Sequence, residues 1–359
     1  MDAETNNANE QANVKVVPDL VSTIIPVFNR PEMLELAVQS VLAQTYRPVE
    51  IIVADDGSTD STPERAESLV EKHAGTISYY RHENAGPGPA RELGRKHASG
   101  EFIQYLDSDD RLLPNKFDDQ VRALREHPDC DVAYGITRLV RSDGHVLADP
   151  FKWTDRTIDT LFPGLLVDRW WCTHTPLYRR SLTDRIGSWC AMRWSQDWEY
   201  DARIGALETR LVHCGSHVSE HVHHDGERQT SSAAWTTDPV RLRNRLELME
   251  VLFKGAMEAG VEESADERQH FARWCFSIGR NCASQSLRDE AERCFELAEL
   301  AAGPNGPGRK GVSVYRKLVR SIGGPLTGRL EQLTRIARRR TGNATMEQSF
   351  ASKRQPAEE

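Results

Sequence analysis

The first third of the chain alternates apolar segments with segments of helical spacing, and this alternation restricts the fold more than any other feature. The apolar segments are Leu20–Pro26, Val49–Ala54, Ile77–Arg81 and Phe102–Leu106. Between them, one helix is predicted to open at Pro31, and another to run from Pro89 to Ala98. A βαβαβαβ order with right-handed crossovers predicts an α/β fold with a doubly wound, mostly parallel, Rossmann-like sheet.

Polar side chains follow three of these predicted strands. Asn29 and Arg30 follow the first, Asp55 and Asp56 follow the second, and residues 107–110 follow the fourth. Ligands of such sheets bind at the carboxyl ends of the parallel strands. We therefore predict that these side chains converge on one nucleotide-binding site.

The last of these groups, Asp107-Ser-Asp-Asp110, places three carboxylates within four residues. Like charges this close together are unfavourable unless a cation lies among them. Carboxylate oxygens at a strand end are typical ligands of Mg²⁺ or Mn²⁺, which keep open positions for substrate phosphates. The alternative interpretation is an acidic turn that caps the next helix.

Composition excludes several classes of protein. The 359 residues predict two or more domains, and the net charge of −8 argues against a nucleic-acid partner. Seven scattered cysteines without a Cys-x-x-Cys pair predict reduced thiols in a cytoplasmic protein. We see neither a membrane-spanning apolar run nor the apolar stretch of a signal peptide.

A set of motifs occurs in a fixed order along the chain. They are Val21–Arg30, Gln44–Tyr46, Glu50–Asp60, Asn84–Gly86, Ala90–Arg91 and Tyr105–Asp110. In this order they resemble the family 2 glycosyltransferases, which have the GT-A fold, and the resemblance covers roughly residues 21–224. It implies an inverting transfer from a nucleotide-diphosphate sugar, most often a UDP-sugar. The implied acceptor is a glycan, a lipid-linked sugar or a small molecule.

The resemblance also implies roles for individual residues. Nucleotide-sugar contacts are implied for Pro26, Asn29, Asp55, Asp56, Arg91 and Asp107. Asp107 and Asp109 are the implied metal ligands, with Asp110 beside them. His224 is the implied third ligand, with His223 as its alternative. Arg228, in the loop that follows, is implied to touch the diphosphate.

The catalytic base of the family lies in a segment that matches Trp194–Tyr200. We assign the base to Asp197, with Glu199 as the second candidate, and note that Gln196 replaces the usual Glu. Asp197 then removes the acceptor proton during a single in-line displacement, and the metal neutralises charge on the leaving diphosphate.

A run of histidines before residue 225 suggests a zinc cluster. It comprises His213, His217, His221, His223 and His224. The alternating members lie on a predicted strand, and no cysteine pair completes a tetrahedral set. We therefore do not predict a zinc site from this run.

Composition divides the chain into five predicted parts. They are a disordered tail (1–18), a GT-A domain (19–238), a tetratricopeptide-like helical appendage (239–302), a linker with a basic amphipathic segment (303–340) and a second disordered tail (341–359). Within the GT-A domain, the nucleotide-sugar half covers about 19–112 and the acceptor half about 113–238.

The basic segment fits two interpretations. Residues 309–340 carry many cations interleaved with apolar residues, as in a helix that lies on anionic lipid at the cytoplasmic membrane face, or in a solvated helix. Two rival functions also stay open: a nucleotidyltransferase of related fold, and a binding protein whose transferase fold is catalytically inactive.

Overall fold

The computed structural model describes residues 15–207, 209–224, 234–324 and 326–327. Its described residues fall into two compact units. The first contains residues up to 224 together with 247–270, and the second contains residues 234–246 and those from 271 onward. The predicted contact of Arg228 and most of both predicted tails lie outside the described residues. The predicted domain boundaries stay predictions.

The first unit contains a nine-stranded sheet. Its strands are β1 (Val17–Val27), β2 (Val49–Asp55), β3 (Ile77–Arg81), β4 (Gly100–Tyr105), β5 (Arg111–Leu112), β6 (Val132–Arg141), β7 (Val146–Ala148), β8 (Leu177–Arg179) and β9 (Leu211–His223). The strand order is β3-β2-β1-β4-β8-β6-β9-β5, with β7 paired to β6.

This sheet confirms the predicted α/β architecture, and its two halves differ in strand direction. Strands β3, β2, β1 and β4 are parallel, as the βαβ pattern predicts. In the other half, β8 is antiparallel to both β4 and β6, whereas β9 is parallel to β6. The parallel character is therefore concentrated in the half that carries the predicted nucleotide motifs.

Both units of the described chain contain helices. They are α1 (Pro31–Leu42), α2 (Thr62–Lys72), α3 (Pro87–His97), α4 (Lys116–Glu126), α5 (Arg180–Ile186), α6 (Gln196–Ala206), α7 (Ala234–Thr237), α8 (Pro239–Glu258), α9 (Asp266–Ser284), α10 (Arg288–Ala302) and α11 (Arg309–Ile322). No helix in the described ranges is both long and apolar enough to cross a membrane.

Helix α1 shows how the apolar pattern forms the core. The spacing of Leu34, Ala37, Val38, Val41 and Leu42 predicts one apolar stripe. The first four are fully buried in the same cluster as β1 and β2, and Leu42 is partly buried against that cluster. Ser61-Thr-Pro-Glu64 is a capping-box sequence that predicts a cap from Ser61 at the start of α2, but Ser61 makes no side-chain capping bond. Asp60 accepts the hydrogen bond of the Thr62 N–H instead, at 2.9 Å.

In the second unit, acidic residues of α10 pair with basic residues of α11. Arg316 binds Glu292, Glu296 and Glu299, and Arg320 binds Glu292. Part of the predicted basic segment therefore contacts protein, and its described range ends at residue 327.

Candidate functional site

The acidic turn follows β4 at the centre of the sheet. The Leu106 N–H donates to the carbonyl of Ile24 on β1 (2.9 Å), so strand pairing continues up to the turn. The Asp110 N–H then donates to the Asp107 carbonyl (3.1 Å), which closes the turn. The three carboxylates consequently lie at the carboxyl ends of the parallel strands, as predicted.

The buried side chain of Arg91, on α3, contacts this turn. Its Nη2 lies 2.5 Å from Oδ1 of Asp107, and its guanidinium packs over the Trp189 ring at 4.9 Å. Only 4% of Arg91 is exposed, yet its Nε and Nη1 have no hydrogen-bond partner. A buried guanidinium with free donors is well suited to an oxyanion such as a diphosphate.

Asp109 is paired with Arg30, whose Nη1 lies 2.5 Å from Oδ2. Burial raises the pKa of Asp109, and the charges of Asp110 and Asp107 add to that effect while Arg30 opposes it. Its backbone carbonyl lies 3.4 Å from Nε2 of His224. Asp107 and Asp109 offer the oxygen donors that hard divalent cations prefer, and in this structure each of the two carboxylates pairs with an arginine.

Asp110 has a different environment from its two neighbours. Its Oδ2 lies 2.7 Å from Nδ1 of His174, its Oδ1 lies 3.0 Å from Nδ1 of His221, and it also accepts the Val222 N–H (2.9 Å). Burial alone would raise the pKa of Asp110, but the two imidazoles hold it well below the ordinary value. Asp110 therefore fastens the turn to β9.

Asp197, in the first turn of α6, is held by an arginine that the sequence did not single out. Arg169 Nη1 lies 2.7 Å from Asp197 Oδ2, and Arg169 Nε lies 2.6 Å from Oδ2 of Asp201. Burial would raise the pKa of Asp197, but Arg169 first and Arg91 second lower it overall. Asp197 is thus ionised at neutral pH, while 30% of its side chain stays exposed.

Asp201 lies one helical turn beyond Asp197 and is almost fully buried. Burial raises the pKa of Asp201 to about 6, although Arg169 opposes the shift. Its Oδ2 also accepts from Trp171 Nε1 at 3.2 Å. The i, i+4 spacing of Asp197 and Asp201 on a helix is the one sequence signal that could have revealed this pair.

Glu199, the second candidate base, is committed to a neighbour. Arg203 contacts both of its carboxylate oxygens, with Nε 2.7 Å from Oε1 and Nη2 2.9 Å from Oε2. Glu199 is also buried. Of the two candidates, Asp197 is therefore the one with an accessible carboxylate.

Asp55 and Asp56 lie where predicted, but their carboxylates bind protein donors. Asp55 accepts the Ser58 N–H (2.8 Å) and the Tyr79 hydroxyl (2.7 Å). Asp56 Oδ1 accepts the Ala85 N–H at 2.8 Å, and Asp56 Oδ2 accepts the Gly86 N–H at 2.9 Å. The two aspartates thus hold the loops after β2 and β3.

These loops line an open cavity of about 440 Å³, formed by Gly57, Arg81, His82, Glu83 and Asn84. Asn29 holds the loop after β2, because its Oδ1 accepts the Thr59 N–H at 2.8 Å. Pro26 lies within β1, paired with Ala54 of β2. None of the predicted nucleotide residues Pro26, Asn29, Asp55 and Asp56 is among the residues that line this cavity, and their contacts hold the loops around it.

A model of the family described as "Glycosyl transferase family 2" matches residues 22–187. These residues form a family 2 glycosyltransferase domain. The matched range contains β1 to β4, the acidic turn and Arg169.

The relatives of this domain are glycosyltransferases by name. An uncharacterized glycosyltransferase of Rickettsia typhi is 41% identical over 129 residues, which are 36% of this chain and 39% of that protein. The GalNAc(5)-diNAcBac-PP-undecaprenol beta-1,3-glucosyltransferase of Campylobacter jejuni is 41% identical over 95 residues, 26% of this chain and 30% of that protein. The chain thus spans well under half the length of these relatives.

Among solved structures, S. aureus TarS 1-349 in complex with UDP-GlcNAc matches with a TM-score of 0.58 at 21% identity. The match covers 79% of this chain and 80% of that one. It supports the GT-A architecture that the motifs predicted for the family 2 domain.

Proposed function

We propose that the protein is a metal-dependent, inverting glycosyltransferase that moves a sugar from a nucleotide-diphosphate sugar to an acceptor hydroxyl. The observation that carries the proposal is the convergence of Asp107 and Arg91, both within the matched family 2 range, with Asp197, which follows that range in the chain. Arg91 contacts Asp107 directly and lowers the pKa of Asp197 through its charge. A phosphate-binding group and a base of the required kinds are therefore neighbours.

Each of these residues has a distinct role in the proposal. The unpaired Nε and Nη1 of Arg91 bind diphosphate oxygens. Asp107 and Asp109, with His224 as third ligand, hold Mg²⁺ or Mn²⁺. A bound ion would neutralise the negative charge that develops on the leaving diphosphate. Arg30 and Arg91 pair with the two carboxylates in this structure, so a cation held there would replace these ion pairs.

Asp197 is the proposed general base. Its lowered pKa keeps it charged and able to accept a proton from the acceptor hydroxyl, and Arg169 fixes the orientation of its carboxylate. A single attack on the anomeric carbon, opposite the leaving group, inverts its configuration.

UDP-sugars are the favoured donors in this proposal, because the matched TarS structure is described as a UDP-GlcNAc complex. The nucleoside would lie in the cavity whose walls Asn29, Asp55 and Asp56 hold together.

A lipid-linked sugar is the acceptor class that we favour, because the named C. jejuni relative acts on an undecaprenol-linked acceptor. Cations of residues 309–340 that do not bind α10 would then support peripheral contact with the cytoplasmic membrane face.

Calorimetric titration tests the proposal. UDP, GDP and dTDP are each titrated with and without Mn²⁺ into the wild type, Asp109→Asn and the control Asp119→Asn, whose aspartate pairs with Arg122 on α4. We expect metal-dependent binding of one nucleotide that is lost only in Asp109→Asn. Asp197→Asn should bind the same nucleotide yet lose about a hundred- to ten-thousand-fold in turnover. Absence of binding of every nucleotide by folded wild type would overturn the proposal.

A further inference from the structure

Three potential metal-binding side chains converge behind the acidic turn. Sγ of Cys172 and one ring nitrogen each of His174 and His221 all lie within 4.8 Å of one another. Cys172 and His174 belong to the segment before β8, and His221 belongs to β9. The sequence gives no local signature of this cluster, because no cysteine pair lies near the histidine run. Cys172 and His174 come from a segment about fifty residues before His221.

His174 provides an independent reason to expect a ligand. Its side chain is completely buried, yet neither ring nitrogen makes a hydrogen bond in the described structure. His174 Nδ1 lies 2.7 Å from Asp110 Oδ2, but the angles between the two groups are not those of a hydrogen bond. Nε2 of this buried ring therefore has no partner at all among the described residues, which is costly, and coordination of a cation would satisfy it.

The surroundings of the two histidines also suit a metal site. Their rings are nearly parallel, with an interplanar angle of 9° and centroids 6.0 Å apart. Nδ1 of each ring faces the carboxylate of Asp110. Histidines that bind metals are commonly oriented by such a carboxylate. Phe151 stacks on the outer side of His221 at 5.2 Å and restrains that ring.

We propose that Cys172, His174 and His221 bind one Zn²⁺ ion. A thiolate with two imidazoles is a borderline-soft ligand set that selects zinc over Mg²⁺ or Mn²⁺, whereas Asp107 and Asp109 present only hard oxygens. Ligand atoms around tetrahedral zinc lie roughly 3.3–3.8 Å apart, so the cluster contracts by about 1 Å on binding. The ion would tie the segment before β8 to β9 and hold the imidazoles against Asp110.

Metal content of the full-length protein tests this site without reference to activity. Wild type, Cys172→Ser, His174→Gln and two controls are produced with added zinc, desalted and assayed by mass spectrometry. The controls are Cys130→Ser, a buried cysteine elsewhere, and Asp109→Asn, which removes a ligand of the proposed Mg²⁺ or Mn²⁺ site. We expect about one Zn²⁺ per chain in the wild type and both controls, and under about a tenth in the two cluster variants.

Replacement of zinc by Co²⁺ gives a second readout on the wild type alone. A tetrahedral site with one cysteine produces a thiolate-to-cobalt absorption band, and this band keeps the test decisive if a variant fails to fold. Wild type that neither retains zinc nor shows the band overturns the proposal, as does zinc retained by both folded cluster variants. Because Asp109→Asn loses nucleotide binding but keeps zinc, failure of this site and failure of the proposed function are distinguishable.

Discussion

The guanidinium of Arg169 donates to the carboxylate of Asp197, with Nη1 2.7 Å from Oδ2, and this contact keeps the proposed base ionised. The same guanidinium binds the buried Asp201 through Nε at 2.6 Å. Arg169 thus keeps the accessible Asp197 ionised and also offsets the negative charge of the buried Asp201. Because this arrangement joins proton transfer to stability, changing Arg169 should affect both.

We expect Arg169→Met to move the acidic limb of the kcat–pH profile to higher pH. The pKa of Asp197 rises because burial acts on it without its main compensating charge. Loss of a buried partner should also cost about 3–5 kcal/mol of unfolding free energy. The control is Arg203→Met, which removes the arginine paired with Glu199 on α6. An unshifted acidic limb in Arg169→Met would contradict the assignment of Asp197 as the base.

Asp201 should produce a stability change between pH 4 and 6. Its folded pKa of about 6 exceeds the ordinary value of 3.8, so within this window the folded state binds more protons than the unfolded chain. Stability from this group therefore falls as pH rises, by about 2–3 kcal/mol across the window.

The variant Asp201→Asn should remove this contribution, since the amide oxygen can still accept from Arg169 and Trp171. Urea unfolding of both proteins at pH 4, 5, 6 and 7 measures it. The wild type should lose stability relative to the variant as pH rises. A constant difference over the whole range would show that the pKa of Asp201 is not raised.

The sequence was sufficient for the parts of the site that follow regular strands. Asp107 and Asp109 were predicted to lie at the carboxyl ends of the strands because a buried strand precedes them. In a doubly wound sheet, the carboxyl ends of the parallel strands lie together. The same reasoning placed Asp55 and Asp56 at the end of the second strand, and in the structure Asp55 is the last residue of β2 and Asp56 follows it.

The site residues that could not be predicted from the sequence lie in irregular segments or depend on tertiary contacts. Arg169 and His174 lie in a stretch without periodicity, so no local pattern indicates where their side chains point. Their partners, Asp197 and Asp110, are 28 and 64 residues away in the chain, and only the fold brings them together. The protein donors of Asp55 and Asp56 were likewise invisible, because loop backbone N–H groups leave no signature in sequence.

Gly88, near the start of α3, permits a close approach that shapes the site. A Cβ atom at this position would lie 2.0 Å from the carbonyl oxygen of Cys190. Gly88→Ala should therefore separate α3 from the segment carrying Trp189, on which Arg91 packs. We expect a loss of about 1–3 kcal/mol in stability and weaker nucleotide binding.

Gly311→Ala is the matched control for that change, since a Cβ there meets nothing within 4 Å. Gly311 lies in α11, where alanine should add up to about 1 kcal/mol by helix propensity. Thermal unfolding and calorimetry measure both variants. Equal behaviour of the two alanine variants would show that the contact with Cys190 does not constrain α3.

Tyr79 tests whether Asp55 acts by holding a loop. The Tyr79 hydroxyl donates to Asp55 Oδ2 at 2.7 Å, and burial together with this carboxylate raises the pKa of Tyr79 far above its ordinary value. Tyr79→Phe leaves that buried oxygen without its neutral donor, at a cost of about 1–3 kcal/mol. Because Asp55 also accepts the Ser58 N–H, the loop after β2 should loosen and nucleotide affinity should fall.

Tyr80→Phe is the control, since its ring stacks on His97 at 3.6 Å and phenylalanine preserves that ring. Unfolding in urea and calorimetric titration should show both losses in Tyr79→Phe and neither in Tyr80→Phe. If Tyr79→Phe loses stability but keeps full nucleotide affinity, the loop is not a wall of the nucleotide site. If it loses neither, Asp55 does not depend on the Tyr79 hydroxyl.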